Sequence, residues 1–399
     1  MTIIFDESNS FNKLLPLTYL RSYFDLVVGA LTLRKRAEIS EINCYFVKRN
    51  PFYLDEFQSQ NFSYDDKDII INESVYISNE ELKRISNINV NSHSVFLAND
   101  RIVGYTADLL NKNDLKSSNR VSINATILEK PYDVIRVNKA AIQEDLVFLA
   151  KFYEEKKISN NKIGKYGIYS NGDFYIEDNV FLDTRSGPIV IEDGAYIQAF
   201  TRIEGPSYIG KNAQIVSFCN IRKSYIGNHC VVGGELSNSI ILDYTNSRHS
   251  SYIGDSYIAT WVNIGAHTVT SNLKHTYGII RYDDLGKIYQ TGLTKFGAII
   301  SDFSKTSIGC LILSGKSTGF SSIVNFLQTK SIPSFTIWQG MKEEAYEFYF
   351  DSAVETAKRY MSKKGVDFTY SLYKTFQKIY EATKEDRLKF NAKKETLRF

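Results

Sequence analysis

Few side chains in this chain can do chemistry at neutral pH. Its 399 residues hold five histidines (His93, His229, His249, His267, His275) and four cysteines (Cys44, Cys219, Cys230, Cys310). The cysteines form no C-x-x-C pair, which suits reduced, packed thiols and not a disulfide or zinc framework. An imidazole titrates near the working pH and can take a proton from an attacking nucleophile. A lone histidine on a turn is ordinarily solvated, and His93, His229 and His275 read that way. His249 differs because of the string around it, Arg248-His249-Ser250-Ser251-Tyr252-Ile253-Gly254-Asp255, followed by Trp261-Val262-Asn263-Ile264-Gly265-Ala266, Thr268 and Ser271-Asn272. Asn99-Asp100 could pass for a magnesium-binding pair, yet N-D before Ile102-Val103 reads as a hairpin turn.

The elements that must position these residues divide by glycine. Only Gly29 and Gly104 precede residue 164, 20 glycines lie between Gly164 and Gly340, and Gly365 follows alone. In the middle region an isoleucine recurs every six residues at Ile191, Ile197, Ile203, Ile209, Ile215 and Ile221, slips by one to Ile226 and resumes at Val232. The register returns at Ile253, Ile258 and Ile264, and again at Phe296, Ile308 and Phe320 with polar hexad starts at Asp302 and Ser314 between them. The stretch from about 271 to 294 must loop out. Short repeats of fixed period bury their apolar face only by stacking on the next unit. Three hexads close one coil of about 18 residues, with coils at the inter-strand spacing of about 4.8 Å. The pattern predicts a left-handed parallel β-helix.

Before it, apolar runs at Ile3-Ile4-Phe5, Tyr45-Phe46-Val47 and Asp68-Ile69-Ile70-Ile71 alternate with helix-like stretches at 30–41, 79–85 and 140–154, an α/β pattern. After it, Tyr346, Tyr349, Phe350, Ala353, Val354, Ala357, Tyr360 and Met361 predict one apolar helical stripe, and Leu372, Tyr373, Phe376, Ile379 and Tyr380 another. Gly365 would cap the first. These stripes are expected to pack on the β-helix or a neighbouring subunit. The expected domains are 1–158 (α/β), 159–340 (β-helix) and 341–399 (helical).

Net charge is +3, with 48 Lys+Arg against 45 Asp+Glu, so there is no broad basic field for nucleic acid or anionic lipid. No apolar run approaches the roughly 20 residues that cross a bilayer, and the N-terminus has no basic-then-apolar signal pattern. The expectation is a cytoplasmic protein that neither binds nucleic acid nor enters a membrane.

The string from His249 to Asn272 resembles that of the bacterial bifunctional UDP-N-acetylglucosamine diphosphorylase/glucosamine-1-phosphate N-acetyltransferases. A closer resemblance, over nearly the whole chain, is to a divergent branch with an altered N-terminal sugar nucleotidyltransferase domain. It is carried by Leu14-Leu15-Pro16-Leu17-Thr18-Tyr19-Leu20-Arg21, Val232-Gly233-Gly234-Glu235-Leu236-Ser237-Asn238-Ser239, Thr270-Ser271-Asn272-Leu273-Lys274 and Ile332-Pro333-Ser334-Phe335.

The resemblance implies that His249 is the general base, that Tyr252, Asn263, Asn272 and Arg222 contact the sugar phosphate, and that Ala266 and Thr268 lie in the acetyl-CoA site. It also implies a homotrimer. The lysine that the family places two residues after Glu235 is Ser237 here, and His267 stands where the bifunctional enzymes have glycine. The histidine intervals of 20, 18 and 8 do not match those of β-helix carbonic anhydrases, so no metal is expected in this region. In the N-terminal domain the family's glycine-rich triphosphate loop is missing, since no glycine precedes Gly29 and backbone N–H groups reach phosphate closely only without side chains. The resemblance makes acetyl-CoA the expected co-substrate, with UTP and Mg²⁺ required only if the N-terminal domain is active. Two other readings stay open: a bifunctional enzyme that also makes UDP-N-acetylhexosamine, and a non-catalytic β-helix regulatory or assembly subunit.

Overall fold

The computed structural model describes residues 1–7, 10–52, 64–90, 93–110, 118–158 and 161–395. The chain forms two compact units, Met1–Val137 and Asn138–Phe399.

The first unit is built on strands β1 (Ile3–Asp6), β2 (Cys44–Val47), β3 (Ile69–Ile71), β4 (Val75–Ile77), β5 (Ser94–Ala98), β6 (Arg101–Thr106), β7 (Asn119–Ser122) and β8 (Ala125–Ile127). The main sheet runs β2-β1-β3-β6-β5-β7, while β4 and β8 pair separately. Strands β1 and β3 are wholly buried and, up to Asp6 at the end of β1, apolar, as parallel neighbours covered on both faces must be. Asn99 and Asp100, at φ 48° and 62°, make the two-residue turn from β5 to β6, as the sequence predicts. Gly104 is required because a Cβ there would sit 2.4 Å from the Ile70 carbonyl oxygen of β3. Thr32 and Ser78 cap helices α1 (Leu33–Ile39) and α2 (Asn79–Ser86) by accepting from the Lys35 and Glu81 N–H groups.

Helix α3 (Pro131–Leu149) crosses the border between the units. It starts nine residues before the predicted 140, because Pro131 presets the first turn and the Asp133 carboxylate accepts from the Glu129 and Lys130 N–H groups. It ends earlier too, and Glu154–Glu155 instead pairs with Tyr169–Ser170 at the start of the solenoid.

The second unit is the predicted β-helix. Its three faces are stacks of short parallel strands, represented in one coil by Ile189–Ile191 (first face), Tyr196–Ile197 (second) and Arg202–Glu204 (third). In-register pairs such as Ile203↔Ile221 and Ile215↔Val232 put the hexad aliphatics one above another. All eight from Ile191 to Val232 are fully buried. Where third face turns into first, Ser224, Ser239 and Ser256 form an internal ladder. Each hydroxyl accepts the N–H of the next coil, at 3.2 Å to Ser239, 3.1 Å to Ser256 and 3.0 Å to Ala298. Buried Asp302 likewise accepts from the Thr260 N–H and hydroxyl, which explains a polar hexad start.

Ile308 corrects one expectation. It is 72% exposed on a corner, and Ile300, Thr306 and Ile312 fill that coil. The interruption in the repeat holds a hairpin, Arg281–Asp284 against Lys287–Gln290, anchored by fully buried Tyr282 and by Asp283, which accepts from the Ser331 N–H.

Tyr346 is also displaced from its predicted stripe, because Glu344–Glu347 is a strand antiparallel to Thr336–Gln339. Helices α4 (Phe350–Ser362), α5 (Tyr370–Ala382) and α6 (Lys384–Lys389) follow. Gly365, at φ 71°, ends α4, with the Val366 N–H donating back to Met361. These helices cover the corner between first and second faces. There Tyr244, Trp261 and Phe303 stack at 4.2 and 6.1 Å. Tyr360 of α4 meets Trp261 edge-on, and Phe376 of α5 packs on Phe303, Phe320 and Phe335.

Candidate functional site

The corner between second and third faces gathers most of the candidate residues. Asn246–Ser247 on the second face leads through residues 248–251 into Tyr252–Gly254 on the third. His249 is therefore exposed at the bend, and among the described residues its imidazole has no hydrogen-bond partner. The next coil places Ala266 and His267 at the same corner, with the His267 N–H donating to the Ser250 carbonyl at 2.7 Å.

On the third face Tyr252 is half-buried and its hydroxyl bonds to the Asn272 side chain. Burial, then the charges of Asp255 and Glu235, raises its phenol above the ordinary value. The Asn272 amide donates to Asp255 at 2.5 Å, and the other oxygen of Asp255 accepts from Asn238 at 2.7 Å. Asp255 is 7% exposed, so this carboxylate holds both amides in place instead of meeting solvent. Arg222, two coils earlier, is ion-paired with Glu235, which lies directly beside Tyr252.

Asn263 belongs to the second face and accepts from the Asn246 amide at 2.9 Å. It flanks His249 from the side opposite Tyr252. Lys305 is bridged to Asn263 in the next coil, and burial pushes its amine down to about 8. Its ammonium lies 5.0 Å from the Tyr360 ring centre.

Of the seven residues named from the sequence, His249, Ala266 and Thr268 lie at this corner, Asn263 and Tyr252 adjoin it on the second and third faces, and Arg222 and Asn272 stand at the far end of the third face, where it turns into the first. Thr268 points inward. Its buried hydroxyl donates to the Gly265 carbonyl at 2.7 Å and meets the Thr306 hydroxyl, so it locks the prism interior and cannot reach a cofactor. Sequence reading missed Asp255 and Asn238 as organisers. It also missed Lys295, which the hairpin returns beside the site: Lys295 bridges Leu273, and the next N–H, of Phe296, donates to the Asn272 carbonyl. The sequence signal was a cation at the point where the hexad register resumes.

The first unit has a different arrangement after β1. The fully buried Glu7 carboxylate accepts from the Ser22 hydroxyl at 2.9 Å and from the Arg49 and Asn50 N–H groups at 3.2 and 3.3 Å. Burial raises its pKa above the ordinary carboxylate value. At the carboxyl end of parallel strands, where open α/β sheets receive ligands, these backbone donors already hold an internal carboxyl group. The neighbouring Asp6 is paired with Arg49 at 3.2 Å. Among the described residues no three His, Cys, Asp or Glu side chains converge to hold a metal ion, and those after β1 do not fit a magnesium-bound triphosphate.

Fold and site together define a class: an α/β unit joined to a hexapeptide β-helix. Residues 2–152 match the family described as sugar nucleotidyl transferase. The chain is similar to the bifunctional sugar-1-phosphate nucleotidylyltransferase/acetyltransferase of Sulfurisphaera tokodaii, 33% identical over 48% of this chain and 42% of that protein. It is also similar to the bifunctional protein GlmU of Methanococcus vannielii, 34% identical over 39% of this chain and 38% of the relative. These matches span less than half of the relatives' length. Among solved structures, a hexapeptide transferase family protein from Anaplasma phagocytophilum covers 50% of this chain and 92% of its own, at 14% identity and a TM-score of 0.22.

No helix among the described residues is long and apolar enough to cross a membrane, and all four cysteines are free.

Proposed function

We propose that the β-helix catalyses acetyl transfer from acetyl-CoA to the amino group of a hexosamine 1-phosphate. The observation that carries this reading is the exposed His249 imidazole, without a hydrogen-bond partner among the described residues, on a corner with Tyr252 and, beyond it, Asn272 on one face and Asn263 on the other. A neutral imidazole accepts the proton as the amine nitrogen bonds to the thioester carbonyl, and the same proton serves the departing CoA thiolate. The amide N–H of Ala266 has no acceptor among the described residues and stands one coil away, where it can stabilise the oxyanion. Hydroxyl and amide groups of Tyr252, Asn272 and Asn263 suit sugar hydroxyls. Arg222 and Lys295 supply the cations for phosphate, Arg222 by exchanging Glu235 for the ligand.

The assembly in this reading is a homotrimer of β-helices, whose flat faces need partners, and the setting is cytoplasmic. No nucleotidyl-transfer step is assigned to the first unit, because Glu7 already fills its anion-binding turn. The test is release of free CoA with each amino-sugar 1-phosphate. Turnover with at least one is expected, and none with any, at millimolar acceptor and acetyl-CoA, contradicts the proposal.

A further inference from the structure

The corner that carries His249 also carries an aromatic stack that stops short of it. Phe200 and Phe218, both at positive φ on successive coils, lie with ring centroids 5.2 Å apart and planes within 8°. Phe218 is 75% exposed even with Phe200 against one face, so its other face is bare. By strand register the next rung belongs to Gly233 and the one after to residues 248–251. Gly233 and Gly234 put no side chain over the ring. They are confined to glycine by close approach: a Cβ on Gly233 would lie 2.3 Å from the Arg248 carbonyl oxygen, and one on Gly234, at φ 84°, 2.4 Å from the Ser251 nitrogen. Arg248, exposed and without a carboxylate partner among the described residues, stands at the far side of the gap beside His249.

We propose that Phe218, the Gly233–Gly234 rung and Arg248 bind the nucleoside of a nucleoside-diphosphate-linked amino sugar, placing its sugar toward His249. A planar base continues the ring stack over Phe218, and sequence-tolerant stacking of this kind needs only an exposed aromatic face. Arg248 supplies a cation for the ribose-linked phosphate, while the sugar-linked phosphate keeps the Arg222 and Lys295 partners of the free sugar phosphate. Successive rungs are about 4.8 Å apart, so roughly 10 Å separates the Phe218 ring from the His249 rung, a length that ribose and diphosphate can span. The acceptor then contains the same sugar-1-phosphate fragment as the free substrate, extended by a base. This inference rests on the acetyl-transfer reading for its catalytic consequence but not for its binding site.

The experiment has two arms on the full-length chain. In the first, UDP is titrated calorimetrically. Wild type is expected to bind, Phe218→Ala to weaken binding about 10-fold, and Tyr175→Ala, an exposed tyrosine on the second face, to bind as wild type. In the second, acetylation of UDP-glucosamine is compared with that of glucosamine 1-phosphate. The ratio of kcat/KM should favour the nucleotide-linked acceptor and fall about 10-fold in Phe218→Ala. No UDP binding at millimolar concentration, or equal binding by Phe218→Ala, overturns the site. So does a changed oligomeric mass of Phe218→Ala by light scattering, which would assign the ring to a contact between copies. UDP binding that depends on Phe218 without any acetyl transfer would instead leave this site standing and remove the catalytic reading.

Discussion

Two corners of the same prism carry aromatic residues, Trp261 and Phe218 among them at positive φ, and they are put to opposite use. At one, Tyr244, Trp261, Phe303, Phe320 and Phe335 are closed over by α4 and α5, and Trp261 is 8% exposed. At the other, Phe200, Phe218, His249, His267, Ile308 and Phe326 stay open to solvent. Stacking coils therefore aligns side chains without deciding what covers them, and the cover comes from chain added after the solenoid. The open corner keeps, between two hydrogen-bonded faces, an imidazole with no hydrogen-bond partner among the described residues. The closed one converts rings of the same chemistry into core.

The contrast can be broken most forcefully at Trp261. Trp261→Ala should lose about 3–5 kcal/mol in urea unfolding, the range for truncating a buried aromatic residue, whereas Phe218→Ala should stay within about 0.5 kcal/mol. Equal losses would erase the distinction between the corners.

A smaller loss is expected at Glu7. Glu7→Ala strands the Ser22, Arg49 and Asn50 donors and should cost about 1–3 kcal/mol. The wild-type chain should release no pyrophosphate from UTP and N-acetylglucosamine 1-phosphate, and release would show that the first unit grips triphosphate despite its filled turn.

Asp255→Ala should act on the open corner through the Asn238 and Asn272 amides it holds. KM for the sugar phosphate is expected to rise about 10-fold, the equivalent of one hydrogen bond of about 1.4 kcal/mol, with kcat changed less. An unchanged KM would detach the third-face network from the substrate.

A pH-dependent effect lies at Lys305, under the cover of α4. Its folded pKa of about 8 lies below the unfolded value of about 10.4. Between those values the unfolded chain binds more protons, so the lysine's contribution becomes more favourable as pH rises and its penalty is fully present below pH 8. Lys305→Met should raise the Tm at pH 7, with an advantage that shrinks toward pH 10. A pH-independent difference would show that the amine titrates normally.

How much of this was legible in the sequence follows the physics of each element. The hexad aliphatics from Ile191 to Val232 were readable because each coil must bury its own residue, so period and burial coincide. Ile308 was not, because an apolar residue on a corner has the same letter as one in the prism, and only the neighbouring strands Ala298–Ile300 and Leu311–Ile312 show which faces inward. Tyr346 fitted a helical spacing but was captured by the free edge of Thr336–Gln339. At the site, the residues from His249 to Asn272 were found as a local string. Lys295 was hidden because a hairpin separates it in sequence from the strand it rejoins. Thr268 shows the limit of carrying roles by motif, since the string fixes its position but not the direction of its hydroxyl.

The central claim is that the open corner performs chemistry through His249 while the fold does not depend on it. The most direct measurement is steady-state acetylation of glucosamine 1-phosphate by His249→Ala alongside its urea unfolding. The account predicts a kcat about 10² to 10⁴-fold lower, the range for loss of a positioned general base, with unfolding free energy within about 0.5 kcal/mol of wild type. Wild-type kcat in that variant would contradict it, as would a loss of activity that is matched by loss of folded protein.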